Sequence, residues 1–349
     1  MTPRYLLVAN PTAQSGNNAN RIRRARWLLN RAGIRHRFLE TLPEGRAVPL
    51  IAKQLIARNF DVLIYMGGDG TFAEVAKSIL KSGLGEEVRV GMLPSGTAND
   101  QGASFGLGST ESELERNVQV IAQGNECRLD AGYIQGVDDN GKMVREDYFF
   151  DSAGWGISPR ILKLRNEDRE IIDSIPILKS IWRDKMVYAG SLVRALIASY
   201  QDDFAFGATV LLDGEEQNWE QLTDLIVKGT QIYAGAWVFD TDARPDDGRF
   251  EVVPFFGRTD WLSKAIIHLE GGPVSPKTLN QLGMRNPSRS AGRIEIRIQV
   301  NNPSIPLVAQ IDGEPFPVYP LVRIVICNNA LRLIVPKNHA KSPRPNTGR

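Results

Sequence analysis

Cysteine is almost absent: the 349 residues include two, Cys127 and Cys327, far apart and outside any metal-ligand or redox spacing. This excludes a disulfide-framed scaffold and a thiolate metal cluster. It points to reduced thiols in a cytoplasm, with a chance disulfide left open. An excess of charge of one sign is also missing, since 42 Lys+Arg nearly balance 40 Asp+Glu to leave +2. No global field draws the chain to nucleic acid or membrane, although a local basic patch is compatible with the composition. No apolar run is long enough to span a bilayer, so no transmembrane segment is expected and any membrane contact is peripheral. The apolar run at 5–9 is too short for a signal peptide and reads as a first strand. No internal repeat stands out. The remaining composition, 42% hydrophobic and 23% charged, is globular and long enough for two domains.

The most informative stretch is 62–75, where an apolar run ends in Gly67-Gly68-Asp69-Gly70-Thr71 and Phe72, Val75, Ala76, Ile79 and Leu80 follow at helical spacing. This reads as strand, tight loop and helix start. The loop matches neither G-x-x-x-x-G-K-[ST] nor G-x-G-x-x-G. Its glycines still permit positive φ and close approach, and the N–H groups of the following helix attract anions, so a phosphate site is expected. Asp69 would repel a phosphate unless a cation lies between them or the acid takes a proton, which suggests Mg²⁺ or a role as base.

Strands at 5–9, 35–41, 62–67 and 88–93 alternate with helices at 18–32 and 47–58 and the one after Gly70. That order argues a doubly wound parallel sheet with ligands outside the carboxyl ends of its strands. The arginines of the first helix (Arg21, Arg23, Arg24, Arg26, Arg31) suggest an anionic partner or a solvated face, of which the solvated face is the expectation. A second polar loop, Pro94-Ser95-Gly96-Thr97-Ala98-Asn99-Asp100, leaves the sheet at the same edge as the first, which makes a nucleotide cleft the best account of the pair. Thr97, Asn99 and Asp100 are also ordinary loop-closing and capping types. From residue 129 the runs become short and are separated by Gly/Asp/Asn turns, as in an antiparallel sandwich. An apolar helical interruption at 158–200 would line a lipid-sized cavity or simply pack on the sheet, with packing expected. The tail at 337–349 reads as basic and disordered.

With both loops in view, the chain resembles the diacylglycerol kinase catalytic family of lipid kinases, which includes sphingosine and ceramide kinases. The ordered set carries the resemblance: Asn10-Pro11 with Gly16, Thr41, Gly67 to Thr71 with Glu74, Leu93 to Asp100, Phe150 to Gly156, Pro245 to Phe250, and Ile311-Asp312-Gly313-Glu314. The resemblance implies an N-terminal nucleotide-binding α/β domain of the NAD kinase and phosphofructokinase type (1–128, completed by 329–336). A C-terminal antiparallel β-sandwich for the lipid (129–328) follows, with the active site between the two. By the same resemblance ATP contacts Asn10, Thr41, Gly67, Gly68, Asp69, Gly70, Thr71, Phe72, Ala73, Gly96, Thr97 and Asn99. Asp312 and Glu314 supply the acid-base group, Asp69 organises the metal, and Asp247 with the backbone carbonyls of Arg244 and Arg249 binds Mg²⁺. A homodimer stays open.

The expected activity is ATP- and Mg²⁺-dependent phosphorylation of a lipid hydroxyl at a membrane surface, by a cytoplasmic protein in peripheral contact with it. Phosphoryl transfer fits these residues, because it needs positioned N–H groups, a cation and a carboxylate to take the acceptor's proton. Ala73 stands where the family usually has Asn, Gln101-Gly102 where Phe-Ala is usual, and Lys228 where Asn is expected. Two alternatives remain: an NAD-kinase-like enzyme on a soluble acceptor, and a regulatory binder without catalysis, against which the retained carboxylates argue. A second Asp-Gly-Glu, at Asp213-Gly214-Glu215, reads as a hairpin decoy.

Overall fold

The computed structural model describes residues 3–11, 18–41, 47–58, 60–96, 99–160, 204–230, 232–233, 237–238, 243–257, 260, 288–301 and 305–341. The first half alternates β1 (Tyr5–Ala9), α1 (Asn18–Arg31), β2 (His36–Glu40), α2 (Ala47–Arg58), β3 (Val62–Gly67), α3 (Asp69–Lys81) and β4 (Arg89–Pro94), followed by α4 (Asp100–Ser104) and α5 (Glu113–Gln123). β3 is apolar throughout because every one of its residues is buried, as a parallel strand covered on both faces must be. α3 buries Phe72, Val75, Ala76 and Ile79 along one stripe. The parallel order is β2-β1-β3-β4, so the winding reverses between β1 and β3. A crevice opens at such a reversal, and the chain leaves β1 at Asn10 and β3 at Gly68 on its two sides.

The second half supplies β5 (Glu126–Val137), β6 (Met143–Phe149), β7 (Ser152–Gly156), β8 (Phe206–Leu212), β9 (Glu215–Leu222), β10 (Asp224–Lys228), β11 (Ile232–Tyr233) and β12 (Trp237–Val238). Then come β13 (Phe250–Phe255), β14 (Arg289–Ala291), β15 (Arg293–Val300), β16 (Ala309–Ile311), β17 (Glu314–Phe316) and β18 (Leu321–Ile334). An antiparallel sheet of order β14-β13-β10-β7-β16-β17 shares one apolar core with strands β5, β6, β8, β15 and β18 of the large sheet, through Trp155, Phe149, Phe206, Phe250, Phe255 and Ile324. A separate core lies under the parallel strands.

No linker joins the halves. The expected divisions after 128 and 328 fall inside β5 and β18, which run antiparallel from one half into the other. Their register slips between Cys327 and Leu331, where Asn329 has φ 54° and its N–H donates to Asp130 Oδ1 at 2.6 Å. A bulge of this kind turns a strand sharply. Beyond it β18 pairs in parallel with β4 through Arg332 and Leu333.

Two expectations change. The presumed disordered tail begins with a short helix, α6 (Lys337–Lys341), because His339 is buried against Gly106; 342–349 lie outside the described residues, as does the apolar interruption beyond 160. The α1 arginines are not uniformly solvated. Arg21 is partly buried, pairs with Glu111 at 3.3 Å and donates to the carbonyls of Ser109 and Thr110, so it ties α1 to the chain after α4.

Both Asp-Gly-Glu segments form two-residue hairpins with positive φ at Asp and Gly, 51° and 96° at Asp213-Gly214 and 48° and 82° at Asp312-Gly313. The surroundings separate them. The Asp213 carboxylate is exposed and accepts from the N–H groups of Gly292 (3.1 Å) and Arg293 (2.8 Å) and from Arg249 (2.8 Å). Asp213→Ala is expected to cost about 1–2 kcal/mol of stability from these lost bonds, read by chemical denaturation. Loss of ligand binding or turnover at unchanged stability would instead give Asp213 the role expected of its twin.

Candidate active site

The two glycine loops meet backbone to backbone. A β-carbon on Gly96 would lie 2.3 Å from Gly68 Cα, so any side chain there would drive the loops apart. Ser95 N–H donates to the Gly67 carbonyl at 2.8 Å, and the Asn99 side chain closes its own loop by accepting from Gly96 N–H (2.7 Å) and donating to its carbonyl (2.9 Å). Asn99 has φ 58°, which its short amide tolerates. α3 starts at this junction. The Gly68 carbonyl takes the Phe72 N–H, and no side chain caps the helix, which leaves its first-turn N–H groups pointing at the crevice.

Asp69 has a more local task than sequence suggested. Its Oδ1 accepts the Gln101 N–H at 3.1 Å, and the N–H groups of Asp100 and Asn99 also bear on it. The carboxylate therefore caps α4 and locks one loop to the other. Burial, with a contribution from the Asp151 charge, raises its pKa.

The other half of the site comes from the β16–β17 turn. Asp312 is half-buried, and its carboxylate accepts the N–H groups of Phe150 (2.9 Å), Asp151 (2.8 Å) and Ser152 (3.1 Å). Burial first, and then the Asp151 charge, push it up to about 7 in spite of those bonds. Asp151 accepts in turn from Lys228 at 3.5 Å and from the Thr230 hydroxyl. Glu314 points across the domain boundary: one carboxylate oxygen lies 3.9 Å from where a β-carbon of Gly70 would sit. Phe72 fixes the approach by packing edge-on against Phe150 with centroids 5.6 Å apart.

The structure thus gathers Gly67, Gly68, Asp69, Gly70, Thr71, Gly96, Asn99, Asp312 and Glu314. Asn10 and Thr41 stand at the ends of β1 and β2, where Thr41 N–H donates to the Ala9 carbonyl. The side chains of Phe72 and Ala73 are buried on the face of α3 turned to the sheet, so these two residues present backbone rather than side chain to the loop. Thr97 lies outside the described residues.

Arg244, Asp247 and Arg249 form a separate cluster. Arg244 pairs with Asp246 at 3.1 Å, the exposed Asp247 accepts Arg249 N–H at 3.0 Å, and Asp130 accepts Gly248 N–H at 2.6 Å. Burial, the largest cause, and the charges of Asp247 and Asp246 push Asp130 up to about 6. Mg²⁺ takes carboxylate and carbonyl oxygens of the kinds present here. Among the described residues no three acidic, His or Cys side chains converge to hold an ion, so a cation there would depend on backbone carbonyls.

Sequence reasoning did not assign Glu74, Lys77, Asp147, Asp151 or Lys228 to the site. One signal was available. Gly70, Glu74 and Lys77 follow one another at i, i+4 and i+7 on a helix whose remaining stripe is apolar, so they share its outward face. Lys77 bridges to Asp147 of β6 at 2.9 Å. Burial and then the Glu314 charge push Glu74 up to about 7.

The family described as "Diacylglycerol kinase catalytic domain" matches residues 4–134. A diacylglycerol kinase of Staphylococcus carnosus (strain TM300) is 26% identical over 253 residues, 72% of either chain. One from Staphylococcus aureus (strain MRSA252) is 30% identical over 153 residues, 42% of this chain and 47% of that protein. The matched stretch thus spans about half the length of the S. aureus relative. In fold, the chain is similar to a diacylglycerol kinase from Bacillus anthracis str. Sterne, with TM-score 0.68 at 18% identity over 96% of this chain and 98% of that one. Yeast NADH kinase complexed with NADH gives TM-score 0.52 at 9% identity over 97% and 86%. The N-terminal α/β domain and the antiparallel second domain accord with both likenesses.

A folded-state pKa for Glu74 raised from 4.5 to about 7 fixes a sign. As pH rises from 4.5 to 7 the unfolded chain ionises Glu74 before the native one does, so stability falls across that window. Glu74→Gln removes this loss. Its melting temperature relative to wild type is expected to rise between pH 4.5 and pH 8, and a constant difference would contradict burial of Glu74 beside Glu314.

Proposed function

We propose, from the match of residues 4–134 to the diacylglycerol kinase catalytic domain, that this protein is a lipid kinase that transfers the γ-phosphate of ATP to a lipid hydroxyl, with diacylglycerol the first acceptor to test. The observation that carries the proposal is the position of Glu314 against the first turn of α3, which sets a carboxylate beside a phosphate-type loop. The touching glycines and open N–H groups of α3 fit a polyphosphate, since no β-carbon fills the crevice wall there. ATP supplies the phosphoryl group, with Mg²⁺ neutralising its charge.

Each residue then has a stated task. N–H groups at the start of α3 hold phosphate oxygens, and Asp69 keeps the two loops in register. Asn10 and Thr41 flank the nucleotide at the switch point. Glu314 accepts the proton of the acceptor hydroxyl as its oxygen attacks. Asp312 is a positioning residue, because its carboxylate is already engaged by three backbone N–H groups. No helix among the described residues is long and apolar enough to cross a membrane. In this reading the lipid is met at a membrane surface by peripheral contact.

Glu314→Gln is expected to lower kcat on diacylglycerol in mixed micelles about 10²- to 10⁴-fold, as for loss of a general base, with ATP affinity unchanged. Asp312→Asn is expected to lower kcat and melting temperature together, because its amide would face N–H donors. Wild-type turnover by Glu314→Gln would sink the assignment.

A further inference from the structure

One charged surface has no part in the site described above. The 14 residues of α1 carry five arginines and no acid, and β2, whose Phe38 ring lies under one of them, carries a single acid, Glu40. The arginines divide by environment. Arg21 and Arg24 share Glu111, at 3.3 and 2.7 Å. Arg23, Arg26 and Arg31 are exposed and meet no carboxylate among the described residues. Arg23 donates to the Asn20 side chain, the Arg26 guanidinium lies 5.0 Å from the centre of the Phe38 ring, and that of Arg31 lies 5.2 Å from the centre of the Trp27 ring. Trp27 itself is 57% exposed. An ordinary solvated face intersperses both signs of charge. Here one sign runs about 12 Å along the helix from Arg23 to Arg31, with an indole between them.

We propose that the outer face of α1, through Arg23, Arg26, Trp27 and Arg31, docks the protein on an anionic bilayer. The proposal deepens the kinase reading, because it names the surface of the peripheral contact, but its test does not require turnover. The guanidinium groups pair with lipid phosphates and the indole settles at headgroup level, the arrangement that interfacial helices rich in cations and tryptophan adopt. Position favours a bilayer over another polyanion. α1 begins at the crevice, where the Asn18 amide donates to the Asn10 carbonyl at 2.6 Å. A membrane along this face therefore borders the crevice that is read as receiving a lipid.

Co-sedimentation with vesicles tests the face on the full chain without ATP. The protein is expected to bind vesicles of equal parts phosphatidylglycerol and phosphatidylcholine, to leave pure phosphatidylcholine vesicles unbound, and to dissociate as salt rises. The triple variant Arg23→Gln, Arg26→Gln, Arg31→Gln is expected to bind the mixed vesicles about 100-fold more weakly, about fivefold for each arginine, at nearly unchanged melting temperature. If it folds poorly, Arg23→Gln alone, which disturbs neither ring contact, reads the fivefold step. Brominated phosphatidylcholine in the mixed vesicles is expected to quench a fluorescence that Trp27→Phe lacks. Wild-type affinity in the folded triple variant, or quenching that persists in full in Trp27→Phe, would overturn the docking face and leave the kinase reading standing. Binding to duplex DNA with none to vesicles would overturn it in favour of another polyanion. Vesicle binding that depends on these arginines, in a protein that phosphorylates no lipid, would support the face and sink the kinase reading.

Discussion

The seating of the Asp312 carboxylate on the backbone N–H groups of Phe150, Asp151 and Ser152 is the constraint on which the site depends. It holds a two-residue hairpin at the junction of the halves, and Glu314, two residues on, is thereby aimed across the boundary. Phe72 packing on Phe150 sets the same approach from the α3 side. Glu314 and the loop after β3 belong to different sheets, but their separation is fixed by one backbone-seated carboxylate and one aromatic contact. The continuous β5–β18 ribbon adds stiffness, since a hinge at its bulge would have to break the Asn329 N–H bond to Asp130.

Electrostatics explains why so many acids can share this volume. Ionised carboxylates in a shielded site repel one another and lose hydration, so some must hold protons near neutrality. Glu74 and Asp312, both pushed up to about 7, do so, while Lys228 beside Asp151 and Lys77 beside Asp147 supply the positive charge. Lys228, which stands where the family pattern suggests Asn, therefore has a physical reason to be here: it neutralises Asp151 directly behind the Asp312 seat.

Much of this was legible in the sequence. The order of strands and helices and the loops after β3 and β4 follow from periodicity and turn chemistry, and family order pointed to the Asp-Gly-Glu that lies beside the glycine loop. What was not legible is tertiary. The two Asp-Gly-Glu turns have the same local conformation, and only the strands around them separate an exposed Arg249 partner from a half-buried backbone seat. The tie from Asp69 to the N–H groups at the start of α4 was not legible either, because those partners carry no sequence signal. That the side chains of Phe72 and Ala73 turn inward was not legible from the motif, which does not say which face of a helix meets the sheet. The burial of His339 against Gly106, which orders the first turn of the expected tail, depends on a contact far apart in sequence.

The central claim is that this site moves phosphate to a lipid hydroxyl. Its most direct test is transfer of labelled γ-phosphate from ATP with Mg²⁺ to diacylglycerol, ceramide, sphingosine, monoacylglycerol, phosphatidylglycerol and NAD offered in mixed micelles. The account predicts label in a lipid and none in NAD. Label in NAD alone, or no transfer to any acceptor by protein that binds ATP, would contradict it.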